Sequence, residues 1–253
     1  MTTSTETCFI APDWPAPPNV RALITTRQGG VSGGVYSSLN LGDHVGDDTS
    51  AVANNRALIA SRVNARLLWL KQVHGTRVVN AADCLYADLT AIPEADASMT
   101  RQAGVACAVM TADCLPVLFC DRAGTVVAAA HAGWRGLLDG VLEATIAAMG
   151  VPADELMAYL GPAIGPQAFE VGDEVRSAFV ALSSEAVTAF HPGRGGKWLA
   201  DIYLLARQRL SAEGVTQIYG GEFCTVTDAA RFFSYRRDGQ TGRMASLIWL
   251  DPR

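Results

Sequence analysis

Two segments place metal-binding and proton-handling side chains beside apolar runs. Thr111-Ala-Asp-Cys-Leu-Pro116 leads into an apolar stretch ending at Cys120. After a turn at Asp121–Gly124, a second apolar stretch ends in His131-Ala-Gly-Trp-Arg135. Cys114 stands just before the first run and His131 just after the second. If the runs pair as neighbouring strands across the turn, both side chains arrive at one edge of one sheet. A thiolate and an imidazole so placed suit zinc or a Cys–His nucleophilic pair. A third candidate, His74, lies in Lys71-Gln-Val-His-Gly75, after the run Leu67–Leu70. One thiolate and two imidazoles leave a fourth position open for water, the arrangement of a catalytic zinc. From residue types alone Cys114 has three readings: a zinc ligand, a nucleophile activated by His131, or an inert buried thiol.

Other chemistry is bounded by counting. The chain has only four histidines, His44, His74, His131 and His191. A multicopper centre needs a His₂Cys set and a separate histidine-rich cluster, so a strict laccase activity is disfavoured. Arg27, Lys71, Arg135, Arg236 and Arg237 fall at apparent strand or helix ends, where guanidinium groups suit phosphate. Arg27 and Arg236 are the expected phosphate ligands. Arg27 adjoins a loop with four glycines, Gly29, Gly30, Gly33 and Gly34, that permits close backbone approach. A helix opening near Gly133 adds free N–H groups for an oxyanion. Asp113, Glu170 and Asp238 are candidate proton-transfer groups, Asp113 first because it precedes Cys114. Trp134, Phe232, Phe233 and Tyr235 could stack on a flat ring or pack in the core.

The elements that must position these residues follow from pattern. Strands are expected at Val20–Thr26, Leu67–Val73, Thr76–Asn80, Val105–Met110, Leu115–Cys120, Thr125–Ala130, Leu156–Leu160, Thr216–Tyr219 and Met244–Leu250. Helices are expected over about 51–63, from Gly133 to Met149, over about 173–181 and from Asp201 to about Ala212. The segment Ala81–Pro93 has no assignment. Residues 1–19, with four prolines, read as an extended lead-in, and 20–253 as one α/β domain. With 253 residues, about half of them apolar, a large core forms without disulfides. Net charge is −5, with no basic tail, which argues against nucleic acid as partner. No apolar run approaches the roughly 18 residues of a membrane span. Six cysteines without a C-x-x-C pair suit a reducing cytoplasm. The expected assembly is a monomer or weak dimer.

Five segments in order, Lys71-Gln-Val-His-Gly, Thr111-Ala-Asp-Cys-Leu-Pro, His131-Ala-Gly-Trp-Arg-Gly, Gly161-Pro-Ala-Ile-Gly-Pro and Phe233-Ser-Tyr-Arg-Arg-Asp-Gly, resemble the signature segments of the YfiH or laccase-domain family. The likeness runs from Thr25 to the last strand. It implies a three-layer α/β sandwich with a mixed sheet, and zinc held by His74, Cys114 and His131. It also implies phosphorolysis of adenosine, inosine and S-methyl-5′-thioadenosine, and deamination of adenosine. Purine nucleosides and inorganic phosphate are then the small-molecule partners. The alternatives are a metal-independent Cys–His hydrolase with Cys114 as nucleophile, and a polyphenol oxidase-type copper enzyme.

Overall fold

The computed structural model describes residues 8–87 and 92–252. The first seven residues of the expected lead-in lie outside that range. The class is α/β with mixed sheets, as expected. Two sheets share the work. One has the order β1 (Phe9–Ile10), β2 (Val20–Thr25), β14 (Met244–Leu250), β6 (Val105–Thr111), β3 (Arg66–Leu68). The other has the order β13 (Gln217–Gly220), β9 (Leu156–Leu160), β7 (Leu115–Asp121), β8 (Val127–Ala132), β5 (Ala97–Thr100), β4 (Val78–Asn80). A small third sheet joins β10 (Glu170–Val171), β12 (Trp198–Ala200) and β11 (Phe190–Pro192).

The strand sequences explain the layering. The central strands are apolar at nearly every position, the mark of burial on both faces. In β6, Val105, Cys107 and Val109 face the space between the two large sheets, where Leu118, Cys120, Val127 and Ala129 meet them. The alternate residues Ala106, Ala108 and Met110 face outward with Leu247 and Trp249, under Ile59 of helix α1 (Thr49–Arg62). In the second sheet Val117, Phe119, Ala128 and Ala130 face away from the first. There they pack against α4 (Val141–Met149) and α6 (Ile202–Ala212). The alanines of β8 are poor strand formers. Burial on both sides, where small side chains allow close layers, overrides propensity.

Four departures from the sequence expectations have physical causes. The strand expected over Leu67–Val73 stops at Leu68, because Leu70–Gly75 turns away to serve the site described below. Ala97–Thr100, too short to show alternation, is a strand paired antiparallel with β8. The unassigned segment contains helix α2 (Ala81–Tyr86), capped by the Asn80 side chain; residues 88–91 lie outside the described range. The helix expected from Gly133 to Met149 is two: α3 (Trp134–Asp139) ends at Gly140, whose φ of 100° only glycine adopts readily, and α4 begins after it. Helix α5 (Asp173–Leu182) and the one-turn α7 (Tyr235–Asp238) complete the α-helices of the described residues.

Candidate metal centre

Strand alternation assembles the site. β7 and β8 pair antiparallel with Leu115 opposite Ala132 and Pro116 opposite His131. Ala97, Leu115, Val117, Ala130 and Ala132 all pack on the helix side. Continuing the two-residue period puts Asp96, Cys114 and His131 on the opposite face, at one open end. The expectation that Cys114 and His131 meet at one sheet edge holds. His74 arrives on the loop between β3 and β4. Its Nε2 lies 3.8 Å from Cys114 Sγ, and its ring meets the His131 ring edge-on at 4.8 Å between centroids.

Asp96, missed in the sequence, organises the cluster. Its carboxylate is fully buried. Oδ1 accepts from the His74 N–H at 2.9 Å and stands 2.8 Å from His131 Nδ1. Oδ2 accepts from the N–H groups of Val73 at 3.1 Å and Gly75 at 2.8 Å. Three consecutive amides thus converge on one carboxylate, with His74 held at φ 63°, a conformation that non-glycine residues seldom adopt. Gln72 pins the same loop from the other side. Its amide donates to Met110 O at 2.8 Å and accepts from Met110 N–H at 2.7 Å, extending β6 with a side chain.

The electrostatics favour a charged pair. Burial pushes the Cys114 thiol up, but His131 and His74 beside it bring it down to about 6. Burial pushes His131 down, and Cys114 and Asp96 raise it to about 9. Burial also raises Asp96, yet the His131 and backbone hydrogen bonds hold it below the usual carboxylate range. These directions favour a Cys114 thiolate beside an imidazolium oriented by a carboxylate when no metal is bound.

The same three residues fit a metal ion. Their ligand atoms all lie within 4.8 Å of one another. In a tetrahedral zinc site, with Zn–S about 2.3 Å and Zn–N about 2.0–2.1 Å, donors stand roughly 3.3–3.6 Å apart, a small contraction away. Asp96 occupies Nδ1 of His131 and leaves Nε2 for the cluster, the usual carboxylate–histidine support of a metal ligand. Among the described residues this is the one such group of ligands. His44 and His191 lie outside it, so the described residues hold no second histidine-rich set for multiple coppers.

Gly133 closes the site from below. A β-carbon there would come within 2.8 Å of His74 Cδ2 and 3.1 Å of Cys114 Sγ. Gly133→Ala is therefore expected to displace the His74 ring and weaken metal affinity at least about 10-fold, with little loss of stability. Competition with a chromogenic chelator reads the affinity, and an unchanged affinity would contradict this packing.

Two cavities open on the cluster. One, about 330 Å³, is lined by His74, Cys114 and His131 with His44, Gln72, Tyr235 and Arg243. The other, about 260 Å³, shares His74, Cys114 and Tyr235 and is walled by Trp134, Ile164, Phe169 and Ile202, with Arg135 and Arg236. Tyr235, 62% exposed, stands between them.

Several expected residues have other places. Arg27 lines neither cavity. Its guanidinium donates to Ser37 O at 3.0 Å and Ala229 O at 3.2 Å and lies over the Phe233 ring. The glycine loop beside it packs on Asn55 and Ser38 instead of opening toward the cluster. Arg236 does line the second cavity, with Nη1 donating to Glu170 O at 2.9 Å. Asp113 braces a loop: it accepts from Thr225 Oγ1 and from the Arg236 N–H, both at 2.6 Å, with its own φ at 95°. Glu170 pairs with Lys197 and Asp238 with Arg237. Phe232 and Phe233 are fully buried core residues. With only six residues, α3 supplies no strong dipole for an anion. Gln72 lies within the segment that carries His74 but its residue type gives no sign of its role, and nothing in the sequence neighbourhood of Arg243 distinguishes it.

A paired α/β sandwich with a His–Cys–His group at one end, shared by two cavities, defines the class of protein. The profile of the family described as "Multi-copper polyphenol oxidoreductase laccase" matches residues 21–251. The chain is 60% identical to a purine nucleoside phosphorylase of Pseudomonas aeruginosa, covering 96% of this chain and 98% of that one. It is 55% identical to the purine nucleoside phosphorylase YfiH of Escherichia coli, covering 96% and 98%. A Neisseria meningitidis crystal structure of the DUF152 family superposes with a TM-score of 0.94 at 61% identity, covering 97% and 100%. The chain belongs to this laccase-like YfiH family. All six cysteines are free, and no helix among the described residues is long and apolar enough to cross a membrane.

Proposed function

We propose that this chain is a zinc-dependent purine nucleoside phosphorylase of the cytoplasm. It acts on adenosine, inosine and S-methyl-5′-thioadenosine, and deaminates adenosine as a second activity. The observation that carries the reading is the His74–Cys114–His131 group at the junction of two cavities, one walled by Trp134, Phe169, Ile164 and Ile202 and the other lined by His44, Gln72 and Arg243. Names of relatives more than half identical to this chain support the phosphorylase step.

His74, Cys114 and His131 would hold the zinc, which when bound supplies a fixed positive charge and Lewis acidity between the cavities. The chain's own residues do the rest. Trp134, Phe169, Ile164 and Ile202 offer a purine ring a dry wall on which to stack. Tyr235, bordering both cavities, orients the sugar that bridges them. In phosphorolysis the C1′–N9 bond breaks with its electron pair going to the purine, and a phosphate oxygen bonds C1′. Cationic side chains of the site hold that phosphate in line, which lowers the entropic part of the barrier. Asp96 keeps His131 and the His74 loop fixed throughout.

The test is product identification from adenosine with and without phosphate, on protein of measured metal content. Adenine and ribose 1-phosphate should form only with phosphate, in proportion to zinc, and inosine without it. Zinc-replete protein that makes neither product would sink the proposal.

A second reading rests on one alignment. Asp96, His131 and Cys114 have the order of a nucleophilic triad, with the thiol brought to about 6. A metal-independent Cys–His hydrolase would be labelled at Cys114 by a thiol reagent, protected by substrate and indifferent to chelators. A zinc enzyme would be labelled only after chelation.

A further inference from the structure

A third cavity adjoins the first. It measures about 360 Å³ and shares His44, Tyr235 and Arg243 with the cavity at the His–Cys–His group. Gln240 and Thr241 complete its polar wall. Two features of this wall have bonding capacity that the described residues leave unmet. Thr241 is 1% exposed, yet its hydroxyl has no hydrogen-bond partner among the described residues. A buried hydroxyl left unpaired costs about 1–3 kcal/mol, so such groups normally have a partner, protein or ligand. Arg243 is half-buried and forms none of the ion pairs found among the described residues. Its Nη1 donates to the carbonyls of Thr241 and Gly242, both at 3.0 Å, which fixes the guanidinium and leaves Nε and Nη2 for a ligand. Burial lowers its pKa, while the nearby Cys114 and Asp113 act the other way.

The remaining charges are accounted for. Asp43 is engaged by Arg56 at 3.1 Å and by His44 Nδ1 at 3.4 Å, which leaves His44 Nε2 free. Gln240 donates to Tyr36 through Nε2, fixing its amide at the rim. The other arginines are less suited. Arg27 lies away from the cavities, and Arg236 is tied to backbone carbonyls beside the Glu170–Lys197 pair. We propose that Thr241 and Arg243, with His44 at the rim, form the site for inorganic phosphate, next to the metal group. The proposal rests on the phosphorylase reading and names the phosphate ligands that reading leaves open. A fixed guanidinium and an uncommitted hydroxyl match adjacent oxygens of a tetrahedral dianion.

The test separates this site from the reaction. Thr241→Val keeps the shape of the buried side chain, and Arg243→Lys and Arg243→Gln remove the fork and then the charge. Direct binding of inorganic phosphate is measured by calorimetry, and KM for phosphate and for adenosine by initial rates. Thr241→Val should weaken phosphate about five-fold and Arg243→Gln about 100-fold, with Arg243→Lys between them and KM for adenosine nearly constant. Melting temperatures confirm that each variant is folded. Folded variants that bind phosphate as wild type does would overturn the site even if phosphorolysis is real. Weakened adenosine 5′-monophosphate binding with unchanged phosphate binding would overturn it also. If the wild type binds phosphate and the variants do not, but no phosphorolysis occurs, the site stands and the phosphorylase reading fails.

Discussion

Cys114→Ala is expected to abolish zinc retention and both nucleoside activities together. The thiolate is the one soft, anionic donor in the group, and its loss leaves two neutral imidazoles. Removing even a supporting residue costs a metal site about 10–100-fold in affinity, so losing the anionic ligand should exceed about 100-fold. The fold should survive. Cys114 sits just before β7 at the open end of the sheet, half-buried and outside the main clusters of apolar packing. Metal analysis after dialysis, beside a thermal melt, reads both effects. A Cys114→Ala protein that keeps stoichiometric zinc and full turnover would remove this residue from the site. Cys114→Ser is the informative companion, since oxygen at the same place should bind zinc weakly but measurably.

Asp96→Asn is expected to have the second largest effect, and it acts on both stability and metal binding. The wild-type carboxylate faces four donors: the N–H groups of Val73, His74 and Gly75, and Nδ1–H of His131. An amide has only one acceptor oxygen. Whichever way it is flipped, its NH₂ confronts one pair of those donors inside a fully buried site. Leaving buried donors unpaired costs about 1–3 kcal/mol each, and a lost buried charge partner brings the total to about 3–5 kcal/mol. Because the carboxylate also sets the tautomer of His131 and the left-handed turn at His74, zinc affinity should fall about 10–100-fold. Chemical denaturation and chelator competition measure the two losses. Loss of stability alone, with zinc affinity unchanged, would show that Asp96 braces the fold without positioning ligands.

The division between what was legible in the sequence and what was not follows from the range of each signal. Cys114 and His131 were readable because apolar runs flank them and a short turn joins the runs, so strand pairing alone brings them together. His74 was readable as a residue type beside glycine, but its place depends on Asp96, 22 positions away in sequence and on another element. Asp96 lies at the head of a four-residue strand with no visible alternation. Arg27 looked well placed because it ends a strand beside glycines, yet the chain turns so that Ser37 and Ala229 receive its guanidinium. Arg243 reached the site through the pairing of β14 with β6, a contact more than a hundred residues long in sequence. The expectation was of one mixed sheet; strands apolar at nearly every position, which need two buried faces, are the trace that two large sheets packed face to face leave in the sequence.

X-ray absorption at the zinc edge of the purified protein tests the central claim most directly. The account predicts one sulfur at about 2.3 Å and two imidazole nitrogens at about 2.0–2.1 Å, with one further light atom. The sulfur shell should vanish in Cys114→Ala. A zinc environment of nitrogen and oxygen alone in the wild type would contradict a shared site of His74, Cys114 and His131.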